Sequence, residues 1–219
     1  AERAGYLRMQ EIGLLVECPF TDEIRNMSAE AFVEEILVRK MKAGYIVVGS
    51  DFRFGKNRAG SAAYLQECTS RYGFSVEVIE KERDAENGRE ISSSYIREML
   101  REGKMEKVND LLGYPYFAAG KIVQGRHLSR GPGLSSIFQI PDPEKMLPPS
   151  GVYLSRTKTG GKWYQSVTDI AKQESEEGEI LYLETCLFGC PQDLYGPDAS
   201  VELLSFRRQQ RRFASGEEL

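Results

Sequence analysis

Histidine is almost missing: His127 is the only one in 219 residues. No second ligand pair accompanies it, so a structural metal built on histidine is not expected. Cysteine is sparse as well. Of Cys18, Cys68, Cys186 and Cys190, only the last two are close, at a C-x3-C spacing rather than the C-x2-C or C-x4-C usual for zinc. Scattered, unpaired cysteines fit a reducing, cytoplasmic compartment. Charge of one sign is lacking too: 29 Lys and Arg against 33 Asp and Glu leave a net charge of −4. Such a chain has no overall field to draw in nucleic acid, so a phosphate-bearing ligand must be held locally. No apolar run approaches the roughly 18 residues that span a bilayer, and no membrane partner is expected. The N-terminus, Ala1, opens no secretory pattern of basic start, apolar centre and small-residue cleavage site. Repeats and low-complexity tracts are absent, and nothing fixes an oligomeric state.

What is present divides into two halves. The first alternates helix and strand. Ser28 is an N-cap candidate, with Phe32, Val33, Ile36, Leu37 and Met41 following at helical spacing. Tyr45–Gly49 is a short apolar run ending in glycine, as expected of a buried parallel strand. A helix over Ala62–Tyr72, a strand over Phe74–Ile79, a helix capped by Ser92–Ser94 and a last helix over Met105–Leu112 complete an α/β layer. After Gly113-Tyr-Pro the character changes. Strand candidates Tyr116–Val123, Gly151–Arg156, Trp163–Ile170, Ile180–Phe188 and Val201–Phe206 are joined by loops rich in Gly, Pro and Ser. That pattern predicts a small barrel or sandwich that folds on its own from residue 114.

Two segments of the first half carry chemistry. Gly49-Ser-Asp-Phe-Arg-Phe-Gly55 directly follows a parallel strand, whose carboxyl end is where ligands bind in such sheets. Gly49 permits close backbone approach, Asp51 adds a carboxylate, and Phe52 and Phe54 offer an apolar or stacking surface. Ile91-Ser-Ser-Ser-Tyr-Ile-Arg97 puts Ser92, Ser93 and Ser94 at a helix N-terminus, a natural phosphate site, with Arg97 one turn in. The bland alternatives are an ordinary turn and an ordinary cap.

Taken together, the G-x-D-F-R-F-G loop, the I-S-S-S-x-I-R segment and Leu111-Leu-Gly-Tyr-Pro-Tyr116 resemble the FMN adenylyltransferase part of the bacterial bifunctional riboflavin kinase/FAD synthetases. Cys18-Pro-Phe and Met27–Val33 extend the likeness upstream. The resemblance implies ATP and FMN as substrates, with Ile91–Arg97 near the ATP phosphates and Gly55 in the nucleotide or flavin site. That family also carries a G-x-F-D-G-x-H-x-G-H segment whose histidines stabilise the transferring nucleotidyl group. This sequence starts downstream of it, so the first strand and helix of the nucleotide fold are expected to be missing with it.

The second half is similar to the same family's riboflavin kinase domain. Gly120–Gly125 with Gly133, Leu147-Pro-Pro-Ser-Gly-Val-Tyr153, Glu184-Thr-Cys-Leu-Phe, Asp193-Leu-Tyr-Gly196 and Val201–Phe206 with Arg208 and Phe213 carry the likeness. It implies phosphoryl transfer from ATP to riboflavin, with Glu184 as the base, Gly125, Gly133 and Arg208 among the binding residues, and Mg2+ as cofactor. The family's G-F-P-T-A-N stands here as Gly133-Leu-Ser-Ser-Ile-Phe138. Ser136 keeps a hydroxyl for the metal where the family has Thr, and Phe138 replaces an Asn with a ring that cannot ligate a hard cation. The N-I-G-T-R-P-T segment is altered to Asp169-Ile-Ala-Lys-Gln. Both changes are expected on loops, leaving the barrel strands intact. Arg207, Arg208, Arg211 and Arg212 read as a solvated helix face rather than an RNA site.

The expectation is therefore an incomplete α/β Rossmann-like nucleotidyltransferase domain over 1–113, then an all-β riboflavin-kinase-type barrel over 114–219. Riboflavin, FMN or FAD, and ATP are the expected partners. A flavin- or nucleotide-binding module without catalysis is the alternative.

Overall fold

A computed structural model describes residues 2–8, 10–123, 134–175, 178–190 and 198–210. The chain forms two compact units, Ala1–Glu90 and Ile91–Leu219.

The first unit is α/β. Short helices α1 (Glu2–Arg8), α2 (Asp22–Asn26) and α3 (Ala29–Ala31) lead into a π-helix over Phe32–Lys40. Ser28 caps α3 as expected, its hydroxyl accepting from the Ala31 N–H at 3.1 Å. Strand β1 (Tyr45–Gly49) precedes a two-residue ladder of β2 (Arg53–Phe54) with β3 (Gly60–Ser61). Helix α4 (Ala62–Tyr72) begins on a Ser61 cap and ends at Gly73 in the left-handed conformation. Strand β4 (Ser75–Ile79) then pairs parallel to β1, with Gly49 opposite Ile79 at the last rung. Val33, Phe54, Leu65 and Phe74 form the core, joined by Ile46, Val48 and Val76 from the sheet.

The second unit opens with α5 (Ser93–Arg101) and α6 (Met105–Leu112). Six antiparallel strands follow: β5 (Tyr116–Lys121), β6 (Leu134–Gln139), β7 (Gly151–Thr159), β8 (Lys162–Ser175), β9 (Gly178–Phe188) and β10 (Asp198–Arg208). Their order is β5-β10-β7-β8-β9-β6. The sheet curls until its edges meet at a Val123–Phe138 bridge. There the Gln139 amide donates to the Gly120 and Ala199 carbonyls at 2.8 and 3.0 Å.

The inner face of this curled sheet is zoned. At one end Tyr153, Ile170, Leu183, Val201 and Leu203 pack against Tyr95, Met99 and Leu100 of α5 and Met105, Val108 and Leu111 of α6. At the other, Ile137 and Leu187 meet Ile122, Cys190 and Ala199. Between them lies a belt of buried hydroxyls. Thr157 bonds Ser166, Ser166 bonds Ser155, and Ser155 bonds Thr168, each at 2.8 Å; Thr168 bonds Thr185 at 2.9 Å. Thr168→Val would remove two of these bonds, taking from buried Thr185 its partner in the belt while Ser155 keeps its bond to Ser166. We expect it to lower unfolding stability by about 1–3 kcal/mol in denaturant titrations.

Helices α5 and α6 thus complete the barrel's core. Asn109 of α6 stitches its edge, donating to the Leu203 carbonyl at 2.9 Å and accepting from the Tyr116 N–H at 2.8 Å. The reading of a barrel self-sufficient from residue 114 meets a physical difficulty here, because a cut at that point strips the apolar cover from Tyr153, Ile170 and Leu183. Two further expectations need correction. Ser136 and Phe138 lie on β6, and Asp169 lies on β8, so the altered kinase motifs are strand residues rather than loop residues. Arg207 and Arg208 end β10 rather than joining a helix face, while Arg211 and Arg212 lie outside the described residues.

Candidate functional site

Parallel pairing of β1 with β4 brings the residues just past each strand side by side. The Ser50 N–H donates to the Ile79 carbonyl at 2.9 Å, and the chain beyond it lines an open cleft of about 500 Å³. Ser50, Asp51 and Arg53 come from the first strand's exit, and Glu80, Lys81, Arg83 and Glu90 from the second's. Lys81 Nζ bridges Asp51 Oδ2 at 3.0 Å and Glu90 Oε2 at 3.3 Å, while Arg83 takes the other oxygen of Glu90 at 3.3 Å. The ammonium beside Asp51 holds that carboxyl below its ordinary range, and the two carboxylates push the Lys81 ammonium above its own.

The rest of the G-x-D-F-R-F-G loop is structural around that edge. Phe54 is only 7% exposed, with its ring against Phe32, Phe52 and Tyr64, so it belongs to the core and not to an open stacking surface. Phe52 is half-buried, stacked on Phe54 with centroids 5.5 Å apart. Gly55 adopts φ +72°, and a Cβ there would stand 2.7 Å from the Ala29 nitrogen. Glycine is therefore demanded by the packing of this loop on α3. Gly49 closes β1.

Ser92, Ser93, Ser94 and Arg97 fall in the second unit. Ser92 is the N-cap of α5, its hydroxyl accepting from the Tyr95 N–H at 3.2 Å. Ser93, Ser94 and Arg97 are exposed.

On the barrel, strand register assembles one rung across five strands. Phe138 of β6 faces Glu184 of β9, Glu184 faces Asp169 of β8, Asp169 faces Val152 of β7, and Val152 faces Arg208 of β10. Opposed residues in antiparallel strands project to the same side. These side chains therefore share the face opposite the hydroxyl belt, and Ser136, opposed to Cys186, joins them one step along. Glu184 and Ser136 are half-buried, and Phe138 stacks on Tyr182 with centroids 4.7 Å apart. Asp169 accepts from the Gln210 amide at 3.1 and 3.2 Å. Burial pushes its carboxyl up, with Gln210 and then Arg208 pulling the other way. Gly125, Gly133 and Asp193–Gly196 lie outside the described residues. Among the described residues, no group of three or more His, Cys, Asp or Glu could hold a metal ion, and no helix is long and apolar enough to cross a membrane.

Residues 1–95 match the FAD synthetase family model and residues 112–219 the riboflavin kinase family model. The bifunctional riboflavin kinase/FMN adenylyltransferase of Escherichia coli K12 is 30% identical over 219 residues, covering all of this chain and 69% of its own length. The chain belongs to this bifunctional family. The Haemophilus influenzae protein of the same description is 29% identical, over all of this chain and 70% of its own. A solved structure described as a macrolide-efflux protein from Streptococcus pneumoniae superposes with a TM-score of 0.85 over 99% of this chain and 69% of that one. At 24% identity it speaks to the fold alone.

For a member of this family, the stretch between the two matched regions is informative. It holds most of α5 and α6, the helices that cover the barrel core. Asp169 stands where the family resemblance places Asn. Its raised pKa means that folding favours the protonated form. The cost of charging it is therefore present above the folded pKa and vanishes below the ordinary value of about 3.9. Asp169→Asn should raise the melting temperature at pH 7, and the gain should disappear in melts below pH ~3.9.

Proposed function

We propose that the chain is a flavin-nucleotide enzyme of FAD biosynthesis. In this reading the barrel transfers a phosphoryl group from ATP to riboflavin, and the first unit belongs to the FMN adenylylation half. The observation that carries it is the rung holding Glu184 beside Asp169, with Ser136 on the same face. Glu184 would take the proton of riboflavin's terminal ribityl hydroxyl as that oxygen bonds the γ-phosphorus and the bond to ADP breaks. Magnesium would enter with the ATP phosphates, and the Ser136 hydroxyl is the oxygen donor that fits it. Phe138 gives no oxygen, so the transfer should be slow.

For the first unit, the G-x-D-F-R-F-G loop at the exit of a parallel strand supports nucleotide or flavin binding through Gly49, Asp51 and Phe52. On the second unit, Ser93, Ser94 and Arg97 of α5 are the groups proposed for ATP phosphates, because Ser92 is engaged as the cap. The test is to supply riboflavin with ATP, and separately FMN with ATP, each with magnesium, and to separate the flavins by chromatography. FMN from the first mixture supports the kinase. Neither product, with tight flavin binding, would favour a non-catalytic flavin-binding module, which Phe138 in the metal-side position also suggests.

A further inference from the structure

The cleft past β1 and β4 contains a cation outside every motif of the sequence. Lys81 stands two residues beyond Ile79, as Asp51 stands two beyond Gly49, and those strand ends form one rung. We propose that Lys81 is a phosphate ligand of this cleft, binding a nucleoside polyphosphate or pyrophosphate by exchanging Asp51 and Glu90 for the ligand's oxygens. The inference rests on the reading of the first unit as part of the adenylyl-transfer half.

Three observations support the exchange. The Lys81 side chain is 33% exposed and its ammonium lies in the cleft between Asp51 and Glu90, which are 66% and 47% exposed. Solvent-screened pairs of this kind hold weakly, and a phosphate group with several charged oxygens competes well against single carboxylates. Glu90 is also independently tethered. Its other oxygen bonds Arg83, and Arg83 donates to the Gly88 carbonyl at 3.0 Å, so releasing Lys81 need not unfasten the loop. Finally, the lining is balanced, with Arg53, Lys81 and Arg83 against Asp51, Glu80 and Glu90. A cleft without excess positive charge gains an anion site chiefly by freeing a cation already there.

The experiment follows backbone amide shifts of Ser50, Asp51 and Lys81 in the 15N-labelled full chain as pyrophosphate is added. The wild type should saturate. Lys81→Ala should raise the half-saturating concentration about tenfold or more, and Lys81→Arg should recover most of that loss. Glu90→Gln should lower it by about threefold, because it releases Lys81; Glu80→Gln, which removes a charge outside the Asp51–Lys81–Glu90 chain, should lower it less. Unchanged half-saturation in Lys81→Ala, or equal tightening by the two glutamine variants, overturns the proposal. ATP and FMN separate the two levels. If either shifts the Gly49–Gly55 amides while Lys81→Ala leaves pyrophosphate and ATP binding as in the wild type, only the role of Lys81 fails. If neither shifts them, both the role and the reading of this unit fall.

Discussion

Glu184→Gln should abolish FMN formation from riboflavin and ATP while leaving the barrel's melting temperature nearly unchanged. Glutamine keeps the size and one carbonyl oxygen of glutamate and removes its capacity to take a proton. Proton transfer by a positioned group contributes about 10²–10⁴-fold to rate, so a loss of at least two decades is expected. The complementary change works on the metal side. Phe138→Asn with Ser136→Thr would replace the ring stacked on Tyr182 by an oxygen donor opposite Glu184. We expect that pair to raise turnover by about tenfold, which corresponds to ~1.4 kcal/mol of barrier. Robust wild-type turnover that survives Glu184→Gln would remove Glu184 from the mechanism.

The second large effect concerns stability. Gly151→Ala should lower the barrel's unfolding free energy by about 3 kcal/mol or more, from backbone strain and overpacking together. Gly151 begins β7 at φ +150°, and an added Cβ would meet the Phe206 ring at 2.7 Å and the Arg208 carbonyl oxygen at 2.8 Å. The carbonyl cannot yield cheaply, and the Phe206 ring can turn away only by giving up its packing. Phe206 packs edge-on against buried Tyr153, and the carbonyl is backbone of the paired strand β10. A fall in melting temperature of about 10 °C is the expected reading for a unit of this size. Gly189→Ala is the control. It shares a positive φ, +69°, but has open space around its Cβ position, so about 1 kcal/mol of conformational cost is all that applies.

Much of the architecture was legible because local signals agreed. Ser61 and Gly73 bracket α4, Ser92 starts α5, and Gly113 ends α6, each by the cap chemistry its residue type favours. Strand β6 was not legible, for a physical reason. Its inward residues are Ser135, Ile137 and Gln139, and Gln139 is buried on two carbonyls, so the usual contrast of apolar inside and polar outside is lost. The hydroxyl belt of β7, β8 and β9 weakens the same signal. The cleft of the first unit was half legible. Asp51 sits in a recognisable loop, but Lys81 and Glu90 are lone charges far along the chain. The parallel register of β1 and β4 sets Lys81 beside it, and the Arg83–Glu90 bridge carries Glu90 back to Lys81; neither pairing is encoded by a local spacing.

Strand β10 is longer than its partner by a count that matters. Against β7 it slips register twice, between Leu203 and Ser205 and between Phe206 and Arg208, so Leu204 and Arg207 have no opposite number. Each extra residue is taken up locally as a bulge, so the rungs on either side of it keep their partners. Deleting Leu204, Arg207 or both would therefore leave Ser205 opposite Leu154, Phe206 opposite Tyr153 and Arg208 opposite Val152. Such a deletion removes the local bend and added twist of the strand and leaves the address of each rung unchanged. The two slips are slack in the strand, and an assay of single against double deletions would read out curvature rather than register.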